Sequence, residues 1–275
     1  YFFILGLSLS FAFDPYNFPF CSLIVLGMFF LLNDKIYQYY KDSYFFIFLT
    51  GLSFGFSFFL SSMYWLSNAI LIYDNLNFLL PFTLIGLPLL LSIFYGLMQL
   101  LNLYFWSENV WRIVYFSVFW TFFEIVRSSI FTGLPWNLIA YSWTWSIYIM
   151  QSLSLFGVYG LCLITTLTAA TFFSFQLNKT SFLLSLSSFL ILLLLFVYGF
   201  LRVNNHNDSY SNTNQIRLIS TNFNQEDKWS DKSIEKAMSL GSDKLITIFP
   251  ETSIGFTKEI PSNWLTGSVR KKEGK

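Results

Sequence analysis

Long apolar runs separated by short polar breaks make up the first 201 residues of the chain. A membrane-spanning helix needs about 20 mainly apolar residues, and the breaks divide this part of the chain into about seven such runs. We predict membrane helices over residues 1–12, 18–32, 44–72, 78–106, 111–129, 147–175 and 182–201. The pattern therefore predicts a multi-pass α-helical membrane bundle over residues 1–201.

The connections between these predicted helices differ in their content of basic residues. Lysine and arginine lie in the second, fourth and sixth connections, at Lys35, Lys41, Arg112 and Lys179. Connections rich in Lys and Arg stay on the cytoplasmic side of a membrane, so we expect these three to be cytoplasmic. With an odd number of spans, everything after Leu201 then lies outside the cytoplasm.

The character of the sequence changes after residue 201. Residues 202–214 form a linker so rich in Asn and Ser that it cannot build a core. Beyond it we predict a short strand at 216–220, an amphipathic helix over about 231–240 and a buried strand at 245–249. Strand, helix and strand in this order begin an α/β domain. We expect residues 215–275 to hold only the start of that domain.

Composition indicates which kinds of molecule surround or bind this chain. Hydrophobic residues make up 55% of the chain and charged residues only 11%, against roughly 25% charged residues in a typical soluble domain. The net charge of +1 provides no basic surface for phosphates, so we expect lipid and not nucleic acid as the neighbour. Because the chain begins at Tyr1 without a basic leader, we expect an incomplete first helix and not a signal peptide.

The two cysteines, Cys21 and Cys162, lie in apolar runs with no CxxC spacing and no histidine nearby. This setting favours packing inside the bundle or against lipid over a catalytic role. It also gives no ligand set for a metal ion, so we expect no metal site.

Glu124 and Arg127 are charged residues inside a predicted span. Three positions apart, they share one face of a helix. Charges at membrane depth are costly unless they are paired, and they favour a functional role. A structural ion pair that orients the helix is the alternative.

The stretch after this predicted helix carries no charge. Gly133 and Pro135 suit a helix stop. Three tryptophans follow, and we expect them to lie at a membrane interface: Trp136, Trp143 and Trp145.

Pro250 and Glu251 come directly after the predicted buried strand. Folds of the α/β class place functional groups at the carboxyl ends of strands, because the strand ends open into a crevice between loops. Glu251 is therefore a candidate catalytic residue. Capping of the next turn, or contact with solvent, is the alternative.

Several stretches resemble the apolipoprotein N-acyltransferase family. The run from Trp120 through Glu124, Arg127 and the sequence FTGLPW at 131–136 to Tyr141 resembles the fifth helix and following loop of that family. Residues 11–18 resemble its first turn. The residues Asn224-Gln225 and Lys228-Trp229 resemble the start of its extracytoplasmic nitrilase-like (carbon-nitrogen hydrolase) domain, and Phe249-Pro250-Glu251 resembles the first catalytic motif of that domain.

The resemblance implies a specific activity. The family transfers an acyl chain from a membrane phospholipid to the N-terminal amine of diacylglyceryl-cysteine in bacterial apolipoproteins, with a Glu, Lys, Cys triad and no cofactor. It implies that Glu251 is the general base and that Trp229 and Trp136 contact lipid. It further implies a monomer in the bacterial inner membrane, with the C-terminal tail on the periplasmic side.

The implied triad is not complete in this sequence. The lysines after Glu251 come too soon to match the family's catalytic Lys, and no cysteine follows Cys162. We therefore expect this chain to be inactive alone. Two alternatives remain, namely an inactive remnant that binds lipid or a partner, and a small-solute transporter whose pathway charges are Glu124 and Arg127.

Overall fold

A computed structural model of the chain describes residues 1–71, 74–130, 133–174, 179–205 and 216–220, together with residues 223, 230, 232, 233, 236, 239, 240 and 246–248. Contacts divide the chain into two compact units, Tyr1–His206 and Asn207–Lys275. Each unit is described by itself.

The first unit is helical. Its α-helices, within the described ranges, are α1 (Phe2–Leu9), α2 (Cys21–Tyr40), α3 (Tyr44–Met63), α4 (Ser67–Leu71), α5 (Leu87–Tyr104), α6 (Trp111–Ser129), α7 (Ile147–Met150), α8 (Leu153–Ser174) and α9 (Lys179–Asn204). Tighter 3-10 turns lie at Ser10–Ala12, Tyr64–Leu66, Asp74–Leu79 and Ile139–Trp143, and one π-helical turn lies at Phe82–Gly86. Helix therefore occurs in each apolar run that the sequence predicts to span a membrane.

Four helical segments of the described chain are long and apolar enough to cross a membrane. They are Tyr44–Leu71, Asn75–Tyr104, Leu153–Ser174 and Thr180–Asn204, and Phe2–Ala12 is a shorter apolar helix. These segments fit a membrane helical bundle. The count of seven spans stays a prediction, since α2 and α6 carry charged residues within their length.

Helix α9 leaves most of its large apolar side chains uncovered. Exposed residues include Phe182, Leu183, Leu186, Phe189, Leu190, Leu193, Leu194, Phe200 and Leu201. In water such a surface would be a strong liability, whereas in a bilayer it faces hydrocarbon at no cost. The exposed face of α9 thus fits a helix in contact with lipid.

Two glycines bring α3 and α5 into close contact. Gly51 and Gly55 are one turn apart on α3, and a Cβ at Gly51 would overlap the carbonyl oxygen of Tyr95. A Cβ at Gly55 would lie 2.7 Å from the Tyr95 ring and 3.0 Å from Ser92. Small residues spaced in this way let membrane helices approach closely, and here they place Tyr95 in the centre of the bundle.

The centre of the bundle is aromatic. The ring of Phe29 lies 4.1 Å from that of Phe54, and the ring of Tyr95 lies 5.2 Å from that of Trp120. Trp120 is only 1% exposed. Aromatic pairs at these separations add stabilisation beyond the burial of their area, so the four rings tie α2, α3, α5 and α6 together.

The structure differs from the predicted sixth span. The apolar run 147–175 is divided into α7 and α8 by a turn at Gln151 and Ser152. Within α8, Gly157 has a φ of 68°, so its backbone leaves helical geometry. The turn carries no strong polar signal, which is why hydropathy alone predicts one helix.

The second unit contains a two-stranded parallel sheet. Strand β1 (Ile216–Leu218) pairs with β2 (Ile246–Ile248), with Ile216 opposite Ile246. The amide of Ile219 donates to the carbonyl of Ile248 at 3.1 Å. Residues 232, 233, 236 and 239, which lie between the strands in sequence, are helical. The assignment of this unit to a nitrilase-like domain stays a prediction.

Candidate functional site

Glu124 and Arg127 lie on the buried face of α6. Glu124 is 3% exposed and Arg127 is 2% exposed. Trp120 stands one turn before Glu124 on the same face, because positions four and seven residues apart line one side of a helix. The structure thus places both charged residues inside the bundle.

The two residues do not form a direct ion pair. Within the described ranges, the pair of charged side chains with an N–O distance below 4 Å is Arg112 and Asp34, at 2.8 Å. The alternative of a structural ion pair, in its direct form, is therefore not present between Glu124 and Arg127 in this structure. Both side chains turn instead to the backbone of the connection that follows α6, which offers a donor and two acceptors.

Arg127 holds the first part of that connection. Its Nη1 donates to the carbonyl of Leu134 at 2.8 Å and to that of Trp136 at 2.9 Å. The guanidinium also lies over the ring of Phe59, 5.2 Å from its centre. Two carbonyl oxygens and an aromatic face thus partner Nη1 and the face of the guanidinium, which offsets part of the cost of burying this cation.

Glu124 holds the last part of the connection. Its Oε1 accepts a hydrogen bond from the amide of Ile139 at 2.9 Å. The indole of Trp120 and the thiol of Cys162 are neighbours of the same carboxyl group. Together Glu124 and Arg127 fix residues 134–139 from inside the bundle, and we call these two side chains with their three backbone contacts the α6 clamp.

Local sequence explains why the chain turns at this point. Helix α6 ends at Ser129, and Gly133 has a φ of +82°, with its amide donating to the carbonyl of Ile130 at 2.9 Å. A Cβ at Gly133 would overlap the carbonyl oxygen of Ser128. Only glycine adopts this backbone without strain, so the predicted helix stop is confirmed.

Trp136 projects from the α6 clamp. Its indole stacks on that of Trp65, with ring centres 4.7 Å apart and planes inclined by 29°. Trp136 is 44% exposed and Trp65 is 39% exposed. The pair offers a flat, partly exposed aromatic surface.

Trp143 is buried inside the bundle, and its position at a membrane interface stays a prediction. It is 2% exposed, and its Nε1 donates to the hydroxyl of Thr165 at 2.8 Å. Its neighbour Trp145 is half-buried. Thr165 of α8 therefore satisfies the indole N–H of Trp143 inside the bundle.

Tyr141, the last residue of the sequence motif, lies in the turn Ile139–Trp143. Partial burial, with smaller effects from Cys162 and Tyr159, raises the pKa of its phenol. The phenol is therefore protonated at neutral pH.

A small cavity adjoins the α6 clamp. Its walls are the apolar side chains of Phe94, Met98 and Phe123 together with Tyr95, Trp120, Glu124 and Arg127. The volume of this cavity is about 10 Å³. Tyr95 was not singled out from the sequence, although a tyrosine within an otherwise apolar run is a usable signal.

A second polar cluster lies at the other end of α6. Arg112 contacts Asp34, which also accepts from Trp106 Nε1 at 3.0 Å. Nearby, Tyr37 donates to Gln99 at 2.5 Å, and Gln99 donates to Asn33 at 2.5 Å. The sequence predicts that Arg112 lies in a connection, whereas the structure places it in α6 and pairs it with Asp34 of α2.

The remaining predicted site residues, Glu251 and Trp229, lie outside the described residues. The structure does not place the predicted general base. In the part of the chain that is described, no group of three or more His, Cys, Asp or Glu residues is arranged to hold a metal ion.

The fold and the α6 clamp define a helical membrane protein in which two charged side chains of α6 hold an uncharged connection from inside the bundle. Residues 5–171 match the family described as the apolipoprotein N-acyltransferase N-terminal domain. The match covers more than half of the chain, which therefore belongs to the apolipoprotein N-acyltransferase family. The resemblance that the sequence motif indicates is confirmed.

Individual relatives agree with this assignment. The chain is similar to the apolipoprotein N-acyltransferase of Rickettsia bellii, with 32% identity over 66% of this chain and 37% of the relative. For the Rickettsia typhi protein of the same name, the identity is 32% over 77% of this chain and 44% of the relative. For the Rickettsia prowazekii protein of the same name, the identity is 36% over 65% of this chain and 36% of the relative. The chain thus spans less than half the length of these relatives.

Proposed function

We propose that this chain forms the membrane bundle and the beginning of the catalytic domain of an apolipoprotein N-acyltransferase. The enzyme would transfer an acyl chain from a membrane phospholipid to the N-terminal amine of diacylglyceryl-cysteine in a bacterial apolipoprotein. It would act as a monomer in the bacterial inner membrane, without a cofactor. The residues after 201 would lie on the periplasmic side. The match of residues 5–171 to the family's N-terminal domain carries this proposal.

Glu251 would be the general base of a nitrilase-like triad. Strand β2 ends at Ile248, three residues before Glu251, and parallel pairing with β1 supports an α/β domain at this point. A thiol is a weak nucleophile until it loses its proton. Glu251 would accept that proton from the triad cysteine, and the sulfur would attack the ester carbonyl of the phospholipid. A thioester would form, and the lysophospholipid would leave as an alcohol with the proton that Glu251 had accepted.

The second half of the reaction would regenerate the thiol. The amine of the lipoprotein cysteine would attack the thioester, form an amide and return a proton to the sulfur. No cysteine follows Cys162 in this chain. We propose that the 275 residues alone therefore have no transferase activity and that the nucleophile belongs to the remainder of such an enzyme.

Trp136 and Trp229 would contact acyl chains. The partly exposed stack of Trp136 on Trp65 supports this role for Trp136, because a flat aromatic surface packs well against hydrocarbon. Trp229 is assigned by its place in the sequence motif alone.

The transporter hypothesis loses its main support. It requires Glu124 and Arg127 to face a solute pathway, yet both hold backbone groups of one connection. The cavity beside them has a volume of about 10 Å³. This volume is too small for an organic solute. The hypothesis of an inactive remnant predicts no N-acylated product in the following experiment, whereas our proposal predicts that product.

A hybrid enzyme tests the proposal. In the Rickettsia typhi relative, the segment from its start through the position that corresponds to Lys275 would be replaced by this chain, so that the hybrid carries Glu251 in place of the relative's own residue. The hybrid would be expressed in cells depleted of their own N-acyltransferase. We expect N-acylated lipoproteins by mass spectrometry of their N-terminal peptides. Glu251→Gln should abolish this product, whereas Glu259→Gln, a matched change nearby in the sequence, should not. Product formation by the Glu251→Gln hybrid would exclude this residue as the base.

A further inference from the structure

Four polar atoms of side chains that line the cavity beside the α6 clamp make no hydrogen bond of standard length and angle to a described residue, although the Trp120 indole and the Cys162 thiol lie near the Glu124 carboxyl group. The four atoms are Tyr95 Oη, Trp120 Nε1, Glu124 Oε2 and Arg127 Nη2. Each belongs to a side chain that lines the cavity and is no more than 5% exposed. Tyr95 belongs to α5, and the other three side chains belong to α6.

Such an arrangement is costly unless a ligand completes it. A buried polar atom without a partner costs about 1–3 kcal/mol, and a charged group costs more. Inside a bilayer there is no bulk water to provide the missing partner. Four unpaired atoms around one cavity therefore indicate a bound molecule that all of them contact.

The chemistry of the four atoms selects the molecule. Trp120 Nε1 and Arg127 Nη2 only donate, Glu124 Oε2 accepts, and the Tyr95 hydroxyl does either. A metal cation needs several oxygen ligands and would meet two N–H donors. An anion would meet the Glu124 oxygen. A water molecule accepts two hydrogen bonds and donates two, and about 10 Å³ of space for its centre suits one water.

We propose that this cavity binds one water molecule that joins Glu124 to Arg127. The water accepts from Arg127 Nη2 and Trp120 Nε1 and donates to Glu124 Oε2 and Tyr95 Oη. The other atoms of the same two charged groups, Glu124 Oε1 and Arg127 Nη1, hold residues 134–139. The water thus makes the α6 clamp a single unit, and Tyr95 and Trp120 become positioning residues for the connection that carries Trp136. This inference does not depend on the proposed acyl transfer.

A structure of the full chain in lipid nanodiscs, at a resolution that shows ordered water, tests the site directly. We expect one density peak at about 2.7–3.2 Å from Glu124 Oε2, Arg127 Nη2 and at least one of the other two atoms. A direct contact between the Glu124 and Arg127 side chains would overturn the proposal. So would a cavity filled by rotation of Phe94, Met98 or Phe123.

Hydrogen exchange tests the mechanical consequence in the same nanodiscs. Tyr95→Phe removes one partner of the water but no contact of the connection, and we expect the amide of Ile139 to exchange about tenfold faster. Tyr37→Phe is the matched control, since Tyr37 is equally buried and its hydroxyl bonds to Gln99 away from the cavity. Exchange at Ile139 should not change in the control. If the Ile139 amide exchanges at the same rate in Tyr95→Phe and Tyr37→Phe, whatever that rate is, the proposal is overturned.

Discussion

The guanidinium of Arg127 donates to the backbone carbonyl of Trp136 at 2.9 Å, and the indole of Trp136 stacks on Trp65. A side chain buried in the bundle thereby fixes an exposed aromatic residue on the connection after α6. Glu124 fixes the other end of the same connection through Ile139. Charged residues within a helix of the bundle here position the backbone of a neighbouring segment.

Replacement of Arg127 by lysine should loosen the connection. A lysine ammonium lacks the planar geometry of the guanidinium and cannot retain both carbonyl contacts and the position over Phe59. We expect amide exchange in residues 133–140 to rise about tenfold, as for the loss of about one strong hydrogen bond. The control is Arg112→Lys, at the opposite end of α6. It should not alter exchange in residues 133–140, and an equal rise would contradict a local role for Arg127.

Glu124 should tolerate glutamine better than leucine. Glutamine keeps an Oε1 that accepts from Ile139, whereas leucine leaves that buried amide without a partner. We expect the free energy of unfolding in mixed micelles to fall by about 1–3 kcal/mol more for Glu124→Leu than for Glu124→Gln. Equal losses would indicate that the contact with Ile139 contributes nothing.

Gly51→Ala should disrupt the contact between α3 and α5. The added Cβ would overlap the carbonyl oxygen of Tyr95, which belongs to a helix backbone and cannot rotate away. Gly157→Ala is the comparison, since its Cβ would meet no atom within 4 Å but its φ is +68°. With ψ at −176°, this backbone lies in a region that is almost restricted to glycine, and the strain should cost about 1–3 kcal/mol. We expect a larger loss for Gly51→Ala, measured as thermal stability in detergent, and the reverse order would contradict the close approach.

The stack of Trp136 on Trp65 should be measurable as a coupling energy. Aromatic pairs contribute about 0.5–1.5 kcal/mol beyond burial. A double-mutant cycle with Trp136→Ala and Trp65→Ala should give a coupling in that range. A second cycle that pairs Trp136→Ala with Trp111→Ala, an exposed tryptophan at the start of α6, should give none. Coupling of equal size in both cycles would contradict a specific stack.

Apolar runs were sufficient to predict the helices but not their interruptions. The run 44–72 contains α3, a 3-10 turn at Tyr64–Leu66 and α4, and the run 147–175 contains α7 and α8. Hydropathy averages over these changes because the turns are made of the same residue types as the helices. The stop at Gly133, which is followed by Pro135, was visible in the sequence, whereas the positive φ of Gly157 inside an apolar run was not.

The partners of the charged residues could not be predicted from residue types. Spacing places Glu124 and Arg127 on one face and suggests that they contact each other. Their actual partners are backbone groups of Leu134, Trp136 and Ile139, and backbone groups have no signature in a sequence. The burial of Trp143 was missed for a related reason, since its partner Thr165 lies in another helix.

The mass of a lipoprotein's N-terminal peptide in cells that depend on the hybrid enzyme tests the central claim most directly. If this chain supplies the membrane bundle and the general base of an apolipoprotein N-acyltransferase, the peptide carries a third acyl chain on its amine, and Glu251→Gln removes that chain. A peptide that stays diacylated, while the hybrid is present in the membrane at the level of the Rickettsia typhi enzyme, would contradict the claim.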